Sequence, residues 1–295
     1  MDINKFILFA DVASTKNFTK SGERMGYTQP GVSHVLKSME NELGFPLFLR
    51  TRKGVELTPN AEAILPIIRE LVAVNEQLEQ TVSNINGLET GHLTIATFAS
   101  ISRSWLPMVI HEFKKKYPGI EIELLEGGTD EIVDWVENSQ ADLGFLSKKH
   151  TSHLKWIPLY EDPLMAILPK DYPVNKRTAL PMKEIEDHPF IISAEGVDYD
   201  VHEAIKKADI TPNICFSSTD DHTVIAMVSN HLGVSILPNL VIGTAHSQIT
   251  ALPLEPYFSR ELGIATNREY KPSPAARRFI ECAEELLPQI RDFGI

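Results

Sequence analysis

The chain has 295 residues, of which 43% are hydrophobic and 23% are charged, a composition typical of folded globular proteins. These proportions exclude a disordered or collagen-like chain, and no apolar run approaches the roughly 20 residues that a membrane span requires. The N-terminus lacks the features of a signal peptide, so we expect a cytoplasmic protein. Two cysteines and no metal-ligand spacing predict neither a disulfide framework nor a metal site, and we expect no cofactor.

The net charge of -12 is distributed unevenly along the chain. Residues 1–60 contain eight basic and six acidic residues, whereas the remainder contains 20 basic and 34 acidic residues. This asymmetry suggests a small module that tolerates phosphate, attached to an acidic domain. A net charge of +2 also arises by chance, so the residue pattern within the first 60 residues decides whether they form such a module.

The first 60 residues predict three short helices followed by two strands. Apolar residues recur at helical spacing from Ile3 to Val12, and a second helix covers about Phe18 to Met25. Thr28 is a plausible N-cap of a third helix, with Pro30 in its first turn. Two strand-like pieces around a turn at Gly54 follow. This order is typical of a winged helix-turn-helix.

Residues 59–88 predict a single long helix. The pair Thr58-Pro59 repeats the pattern of a cap followed by proline, and apolar residues continue close to heptad spacing as far as Ile85. Pro66 lies inside this segment, so we expect a kink or a restart there. The apolar stripe needs a partner, which is either a second copy of the chain or the helix's own domain.

Beyond Gly91 the pattern changes to alternating strands and helices, which predicts an α/β fold. A first βαβαβ series predicts a parallel sheet with helices on both faces, where ligands bind at the carboxyl ends of the strands. A second α/β unit follows, with the chain expected to cross between the two lobes near 163–166 and 265–267. The expected domains are 1–58 (winged helix-turn-helix), 59–88 (linker and dimerisation helix) and 89–295 (two lobes, the first about 91–163 and 267–295, the second about 164–266).

The chain resembles the LysR-type transcriptional regulators over nearly its whole length. The N-terminal match consists of Phe18–Met25, Thr28–Ser33, Leu36, Glu40, Leu43-Gly44, Pro46–Phe48, Arg50 and Leu57–Pro59. The C-terminal match consists of Leu106-Pro107, Phe113, Tyr117-Pro118, Asp142–Gly144 and Val228 with Leu232–Pro238. The resemblance implies an N-terminal all-α winged helix-turn-helix domain and a two-lobed, periplasmic-binding-protein-like α/β effector domain.

Three positions depart from the family pattern. Gly31 replaces the more usual alanine, and Ala61 stands where glycine is common. His34 occupies a position that is often arginine, and a neutral histidine lacks the charge that contributes to DNA affinity.

In a helix-turn-helix, the exposed start of the recognition helix enters the major groove, where short polar side chains read base edges. Gln29 can pair with adenine and Lys37 can neutralise a phosphate. The candidate DNA-binding residues are Thr28, Gln29, Pro30, Ser33, His34 and Lys37 on the helix and Arg50, Arg52 and Lys53 on the wing. The alternative is that these are merely solvated polar positions.

Hydroxyl side chains follow several strands of the predicted α/β domain. The resemblance points to the loop after the first strand for effector binding, together with three later strand ends. The candidate effector-binding residues are Ser100, Ser102, Thr129, Ser147 and Thr219. The ligand expected there is a small carboxylate or an amino acid. The alternative is that each hydroxyl only caps a helix.

These features together predict a sequence-specific DNA-binding transcriptional regulator whose promoter binding is modulated by a small-molecule effector. The expected partners are double-stranded promoter DNA, the effector, further copies of the chain as a homodimer or homotetramer, and RNA polymerase, with no membrane. A binding or transport protein of periplasmic-binding type, without a DNA function, is the alternative. No nucleophile elbow, phosphate loop or dinucleotide motif is present, so we do not expect an enzyme.

Overall fold

The computed structural model describes residues 2–51, 54–85, 90–149, 151–174, 176–193, 199–243, 247–269 and 271–290. The chain divides into two compact units, Met1–Gly91 with Asn138–Gln140 and His92–Glu137 with Ala141–Ile295. Within the described residues, no helix is both long and apolar enough to cross a membrane.

The first unit begins with three helices, α1 (Ile3–Thr15), α2 (Phe18–Met25) and α3 (Gln29–Leu43). The Thr28 side chain caps α3 by accepting a hydrogen bond from the Gly31 amide at 3.3 Å. Gly26 after α2 and Gly44 after α3 adopt φ angles of 72° and 83°, a left-handed conformation that glycine adopts without steric cost. The predicted helix-turn-helix is confirmed.

The wing and the long helix follow. Strands β1 (Phe48–Thr51) and β2 (Gly54–Leu57) pair in antiparallel register, and α4 runs from Pro59 to Ile85. Thr58 joins the two parts, because its Oγ1 donates to the Pro46 carbonyl at 2.8 Å and accepts from the Ala61 amide at 3.2 Å. Helix α4 continues through Pro66, so the helix does not restart there.

One hydrophobic core holds these elements together. It is formed by apolar residues of the first three helices, the segment before the wing and the first turns of α4. The buried members are Leu8, Phe9, Val12, Ala13, Val32, Leu36, Met39, Leu47, Ala61, Leu65 and Ile68. The start of α4 therefore packs on its own unit.

The second unit has two lobes with separate cores. The first lobe contains β3 (Gly91–Thr97), α5 (Ala99–Ser102), α6 (Leu106–Lys116), β4 (Ile120–Glu126), α7 (Thr129–Glu137) and β5 (Leu143–Ser147). Strand β12 (Ser259–Thr266) and α11 (Pro274–Ile290) complete it. Phe113, Phe145 and Phe279 lie in its core, where Phe279 makes edge contacts to the other two rings.

The second lobe is built on β6 (Lys155–Pro169), a strand that also reaches into the first lobe. The other elements of this part of the chain are β7 (Leu180–Pro181), a 3₁₀ helix (Met182–Asp187), β8 (Pro189–Ser193), α8 (Tyr199–Lys207), β9 (Asn213–Ser218), α9 (Asp221–Ser229), β10 (Ser235–Pro238), α10 (Asn239–Ile242) and β11 (Ile249–Glu255). Two clusters of buried apolar side chains lie on this lobe, one around Phe190 and one around Val224. The predicted two-lobed α/β architecture is confirmed.

The main sheet differs from the expected parallel arrangement. Its strands follow the order β4-β3-β5-β12-β6-β11-β7, with β10 also on β6. Strands β3 and β5 are parallel, as expected, but β12 is antiparallel to both β5 and β6. A strand that returns from the second lobe enters the first sheet from the opposite end, which accounts for this direction.

The two crossings between the lobes lie on β6 and before β12. Strand β6 pairs with β12 up to Pro163, and from Leu164 onward it pairs with β10 and β11. The first crossing therefore agrees with the expected position at 163–166. The second crossing was expected at 265–267, which is wrong, because residues 259–266 already pair within the first lobe. The return falls between Glu255 and Ser259.

Candidate functional site

Close packing between α2 and α3 positions the start of the candidate recognition helix. A Cβ on Gly22 would lie 2.6 Å from the Tyr27 carbonyl oxygen and 3.2 Å from Val32 Cγ2. The missing side chain thus lets the turn before α3 approach α2 directly. The buried Val32 and Leu36 fix which face of α3 points inward.

The opposite face of α3 is polar and accessible. Thr28, Gln29, Pro30, His34 and Lys37 are all exposed. The candidate residue Ser33 differs from them, because its Oγ has no exposed surface and no hydrogen-bond partner among the described residues. A contact between this hydroxyl and DNA would require another rotamer.

The wing carries the remaining candidates for DNA contact. Arg50 lies in β1, in register opposite Val55 of β2. Arg52 and Lys53 lie outside the described residues.

Beyond its first two turns, α4 leaves an apolar stripe exposed within its unit. The exposed apolar side chains, which recur at intervals of three and four residues, are Ile67, Leu71, Val74, Leu78, Val82 and Ile85. Leu78 is 61% exposed and Ile85 is 79% exposed. Because three- and four-residue spacing places side chains on one side of a helix, these residues form a continuous surface, here called the α4 stripe.

A cavity of about 1110 Å³ lies in the second unit between elements of both lobes. The first lobe contributes the segment around Ser100 and the loop between β4 and α7, and the second lobe contributes the start of α9 and all of α10. We call it the Ser100 cavity. Its size is sufficient for a small organic ligand.

The five candidate effector residues do not share one cavity. Ser100 and Thr219 line the Ser100 cavity, whereas Ser147 lines a second cavity of about 1180 Å³. Ser102 and Thr129 line neither of these two cavities. Ser102 donates to the Glu126 carboxylate at 2.5 Å, and Thr129 is buried at the start of α7.

Carboxylates predominate among the charged side chains that line the Ser100 cavity. The described acidic residues of the lining are Glu126, Glu131, Asp220 and Asp221, and the basic residues are Arg103 and Arg260. Asp220 also caps α9 by accepting from the Thr223 amide and hydroxyl, and these hydrogen bonds lower the pKa of its carboxyl. The cavity therefore presents a negative potential at neutral pH.

Arg260 is a lining residue that the sequence did not indicate. Its guanidinium is buried, donates to the Ser100 hydroxyl at 3.0 Å, and forms an ion pair with Asp162. No sequence pattern indicated a role for Arg260 or Asp162. A local sequence signal could not reveal the contact, because 98 residues separate the two partners.

The Ser147 cavity has a different chemistry. Ser147 is buried, and its Oγ lacks a hydrogen-bond partner among the described residues. The basic side chains of the lining are Lys148, Lys149, Lys155 and Arg268, and the acidic ones are Glu161, Asp200 and Glu261. Lys148 pairs with Glu261 at 3.2 Å.

Comparison with known protein families identifies both units. Residues 3–62 match the model of bacterial regulatory helix-turn-helix proteins of the lysR family, and residues 86–288 match the LysR substrate binding domain. The chain belongs to the LysR family of transcriptional regulators. The resemblance seen in the sequence is therefore confirmed, and the protein is a DNA-binding regulator with a ligand-binding domain.

Individual relatives agree with this assignment. The chain is 32% identical over 290 residues to the uncharacterized HTH-type transcriptional regulator YvbU of Bacillus subtilis (strain 168), covering 97% of this chain and 99% of that one. Full-length CbnR complexed with its target DNA has the same fold, with a TM-score of 0.66, 18% identity, and coverage of 97% and 99%. The effector binding domain of QuiR in complex with shikimate matches 68% of this chain and 98% of its own, with a TM-score of 0.62 and 20% identity.

Proposed function

We propose that this LysR-family protein binds promoter DNA through α3 and the wing. The observation that carries the proposal is the exposed polar face at the start of α3, held outward by the buried Val32 and Leu36. The proposed DNA-contacting residues are Thr28, Gln29, Pro30, Ser33, His34, Lys37, Arg50, Arg52 and Lys53. Gln29 reads a base edge, while Lys37 and the wing residues contact phosphates.

The α4 stripe joins two chains in the proposed dimer. The stripe exposes apolar side chains over residues 67–85, whereas the first turns of α4 are covered by the core of their own unit. This division supports a separate role for each part of the helix, with packing on its own unit for the first turns and dimerisation for the rest. A dimer presents two recognition helices to two half-sites of an operator, and tetramers follow when dimers pair. The proposed domain roles are DNA binding for 1–58, linkage and dimerisation for 59–88, and effector binding for 89–295.

The effector binds in the Ser100 cavity, with Ser100 and Thr219 as the proposed contacts, whereas Ser147 lines the second cavity and Ser102 and Thr129 line neither. The acidic lining of the Ser100 cavity favours an amino acid over a simple carboxylate, because an ammonium group can neutralise the carboxylates there. Solved structures of the same fold include CbnR complexed with its target DNA and the effector binding domain of QuiR in complex with shikimate. Proteins of this fold therefore bind DNA and small molecules.

Regulation then follows from a change in lobe geometry that alters how the subunits contact the promoter. The proposal includes contact with RNA polymerase at the promoter and no catalytic step. It also places the protein in the cytoplasm, where the chromosome lies.

Fluorescence anisotropy with labelled DNA tests this function. The full chain is titrated against a duplex from its own upstream region and against a scrambled duplex of equal length, over a series of salt concentrations. We expect selective binding to the upstream duplex, with an affinity that falls linearly on a double-logarithmic salt plot. Equally weak binding of both duplexes at every salt concentration would contradict the proposal and favour the binding-protein alternative.

A further inference from the structure

A buried ion pair lies where the chain first crosses between the two lobes. Asp162 and Arg260 stand directly opposite each other in the register of β6 and β12. One residue later β6 makes its last pairing with β12, and from Leu164 it pairs with strands of the second lobe. The pair therefore occupies the hinge itself.

The geometry of the pair is that of a strong charged contact. Arg260 Nε lies 3.0 Å and Nη2 2.9 Å from Asp162 Oδ2. The Asp162 side chain is fully buried, and that of Arg260 is 4% exposed. A buried charge is tolerated when its partner and hydrogen bonds are in place, so both members depend on this arrangement.

The same two side chains also hold one element on each side of the cavity. Arg260 Nη2 donates to Ser100 Oγ at 3.0 Å, in helix α5 of the first lobe. Asp162 Oδ1 accepts from the Leu240 amide at 3.1 Å, in helix α10 beyond β10. Thus a single ion pair connects α5, α10 and both crossing strands.

Helix α10 itself belongs to both cores. The Leu240 side chain packs into the core of the first lobe, whereas its neighbours Val241 and Ile242 pack into the second. A rotation of one lobe against the other must therefore move α10 relative to at least one core. The bond from Asp162 to the Leu240 amide restrains that movement.

The cavity reaches this pair directly. Ser100, Leu240 and Arg260 all line the Ser100 cavity, and the Arg260 guanidinium lies 5.5 Å from the centre of the Phe98 ring, which lines it too. A ligand that engages the Ser100 hydroxyl competes with, or reorients, the bond from Arg260. Such a ligand changes the hydrogen bonding of the hinge without having to deform the sheet.

We propose that the Asp162–Arg260 ion pair fixes the angle between the lobes and is the part of the hinge on which an occupant of the Ser100 cavity acts. This inference rests on the proposed role of that cavity as an effector site. Arg260 is then a positioning residue, acting on the ligand through Ser100 and on the second lobe through Asp162.

The test measures the distance between the lobes without DNA or ligand. Spin labels are placed on the exposed positions of E121C in β4 and K206C in α8, with C215S removing the exposed native thiol. Labelled chain is mixed with a large excess of unlabelled chain, so that each oligomer reports one pair of lobes by pulsed electron resonance. The melting temperature of each variant is measured in parallel.

Removing the pair should loosen the hinge while retaining the fold. In D162L/R260M both charges disappear together, an exchange that is often neutral for stability when the apolar residues pack well. We expect loss of the single narrow lobe distance, with a folded chain whose melting temperature is lowered because the buried Leu240 amide loses its acceptor. The control K116M/E285Q removes an exposed ion pair within the first lobe and should retain the parental distance.

Two single variants test the link to the cavity and remain informative if the double variant does not fold. S100M fills the cavity from the position that Arg260 contacts, and A226M places the same side chain in the cavity from α9. We expect a shifted lobe distance for S100M and the parental distance for A226M.

A parental distance in S100M would overturn the proposal, as would a parental distance in a folded D162L/R260M. Equal shifts in S100M and A226M would also overturn it, because cavity filling alone would then move the lobes. None of these outcomes depends on operator binding, so failure of this inference is distinguishable from failure of the proposed function.

Discussion

Gly22 approaches the backbone of Tyr27 so closely that a Cβ at position 22 would lie 2.6 Å from the Tyr27 carbonyl oxygen. The Tyr27 amide in turn donates to the Gly22 carbonyl at 2.8 Å, so the turn folds back onto α2. This contact fixes where α3 begins relative to α2. Any side chain at position 22 must push the turn away.

We therefore expect Gly22→Ala to destabilise the N-terminal unit by about 1–3 kcal/mol, the usual cost of forcing extra volume into a packed site. The matched control is Gly31→Ala, whose Cβ would meet Thr28 Oγ1 at 3.3 Å, a flexible side-chain atom rather than backbone. Alanine in a helix is favoured over glycine by roughly 0.5–1 kcal/mol, so the control should be neutral or slightly stabilising. Urea denaturation of both variants measures the difference, and equal stabilities would contradict the packing argument.

Gln29→Ala should lower affinity for the operator and reduce discrimination between operator and scrambled DNA. A bidentate contact to a base contributes about 1–3 kcal/mol, which corresponds to an affinity loss of roughly 5-fold to 140-fold. Fluorescence anisotropy with both duplexes measures it. An equal loss on both duplexes would show that Gln29 does not read a base.

Lys37→Met should weaken binding to operator and scrambled DNA alike, whereas Gln29→Ala should weaken binding to the operator more. Loss of a phosphate contact weakens binding to all duplexes and lowers the salt slope by about one. Lys206→Met, an exposed lysine on α8, serves as the control for charge alone. If Lys37→Met leaves the salt slope unchanged, this lysine does not contact phosphate.

Leu78→Lys should separate the subunits. Leu78 lies in the middle of the α4 stripe with 61% of its surface exposed, and burying a lysine there would desolvate an unpaired charge. We expect a fall in molar mass by sedimentation with an unchanged helical content. Glu76→Lys introduces the same side chain on the other side of α4 and should retain the parental mass. A parental mass for Leu78→Lys as well would place the dimer contact elsewhere.

Asp142 makes the stability of the second unit depend on pH. Burial raises the pKa of this carboxyl, against the opposing effects of the Thr94 amide, which donates to Oδ2 at 2.8 Å, and of His92 and Ser273. Because the folded-state pKa lies above the unfolded value, the folded state favours the protonated form. The resulting stabilisation is present at low pH and is lost as the pH rises through the folded-state pKa.

Asp142→Asn removes this titration and retains an oxygen that can accept from Thr94. We expect the stability of the native chain relative to the variant to increase as the pH falls from 7 toward the ordinary range of carboxyl pKa values near 4. Chemical denaturation at several pH values measures this difference. Glu281→Gln, at an exposed position, corrects for the general effect of losing one carboxyl. If the stability difference between the native chain and Asp142→Asn does not vary with pH, the pKa of Asp142 is not raised by folding.

The helix-turn-helix could be derived from the sequence because its signals are local. Thr28 at the cap of α3 and Pro30 in its first turn act within one or two turns of backbone, and the structure places both where they were expected. The family motif then identified the unit without any knowledge of its packing.

The hinge and the candidate effector site were decided by tertiary structure. Hydropathy could not reveal the whole strand from Lys155 to Pro169, because its first half is partly exposed and has no continuous apolar pattern. The return crossing was expected at 265–267, although Leu262 and its neighbours pair with β5, because local hydropathy does not show which distant strand a segment pairs with.

The arrangement of the hydroxyl residues in the candidate effector site could not be predicted from the sequence either. Ser100 follows β3 and Ser147 ends β5 in the same sheet, and the sequence pattern alone predicts that they converge. The structure separates them into two cavities of different charge, and it adds Arg260 to Ser100 across 160 residues. The sequence by itself determined the family, the three helices of the N-terminal unit and the alternation of helices and strands in the second unit, since these depend on local propensity and periodicity. Which charged groups meet at the hinge depends on pairings between distant strands, and only the folded chain brings those residues together.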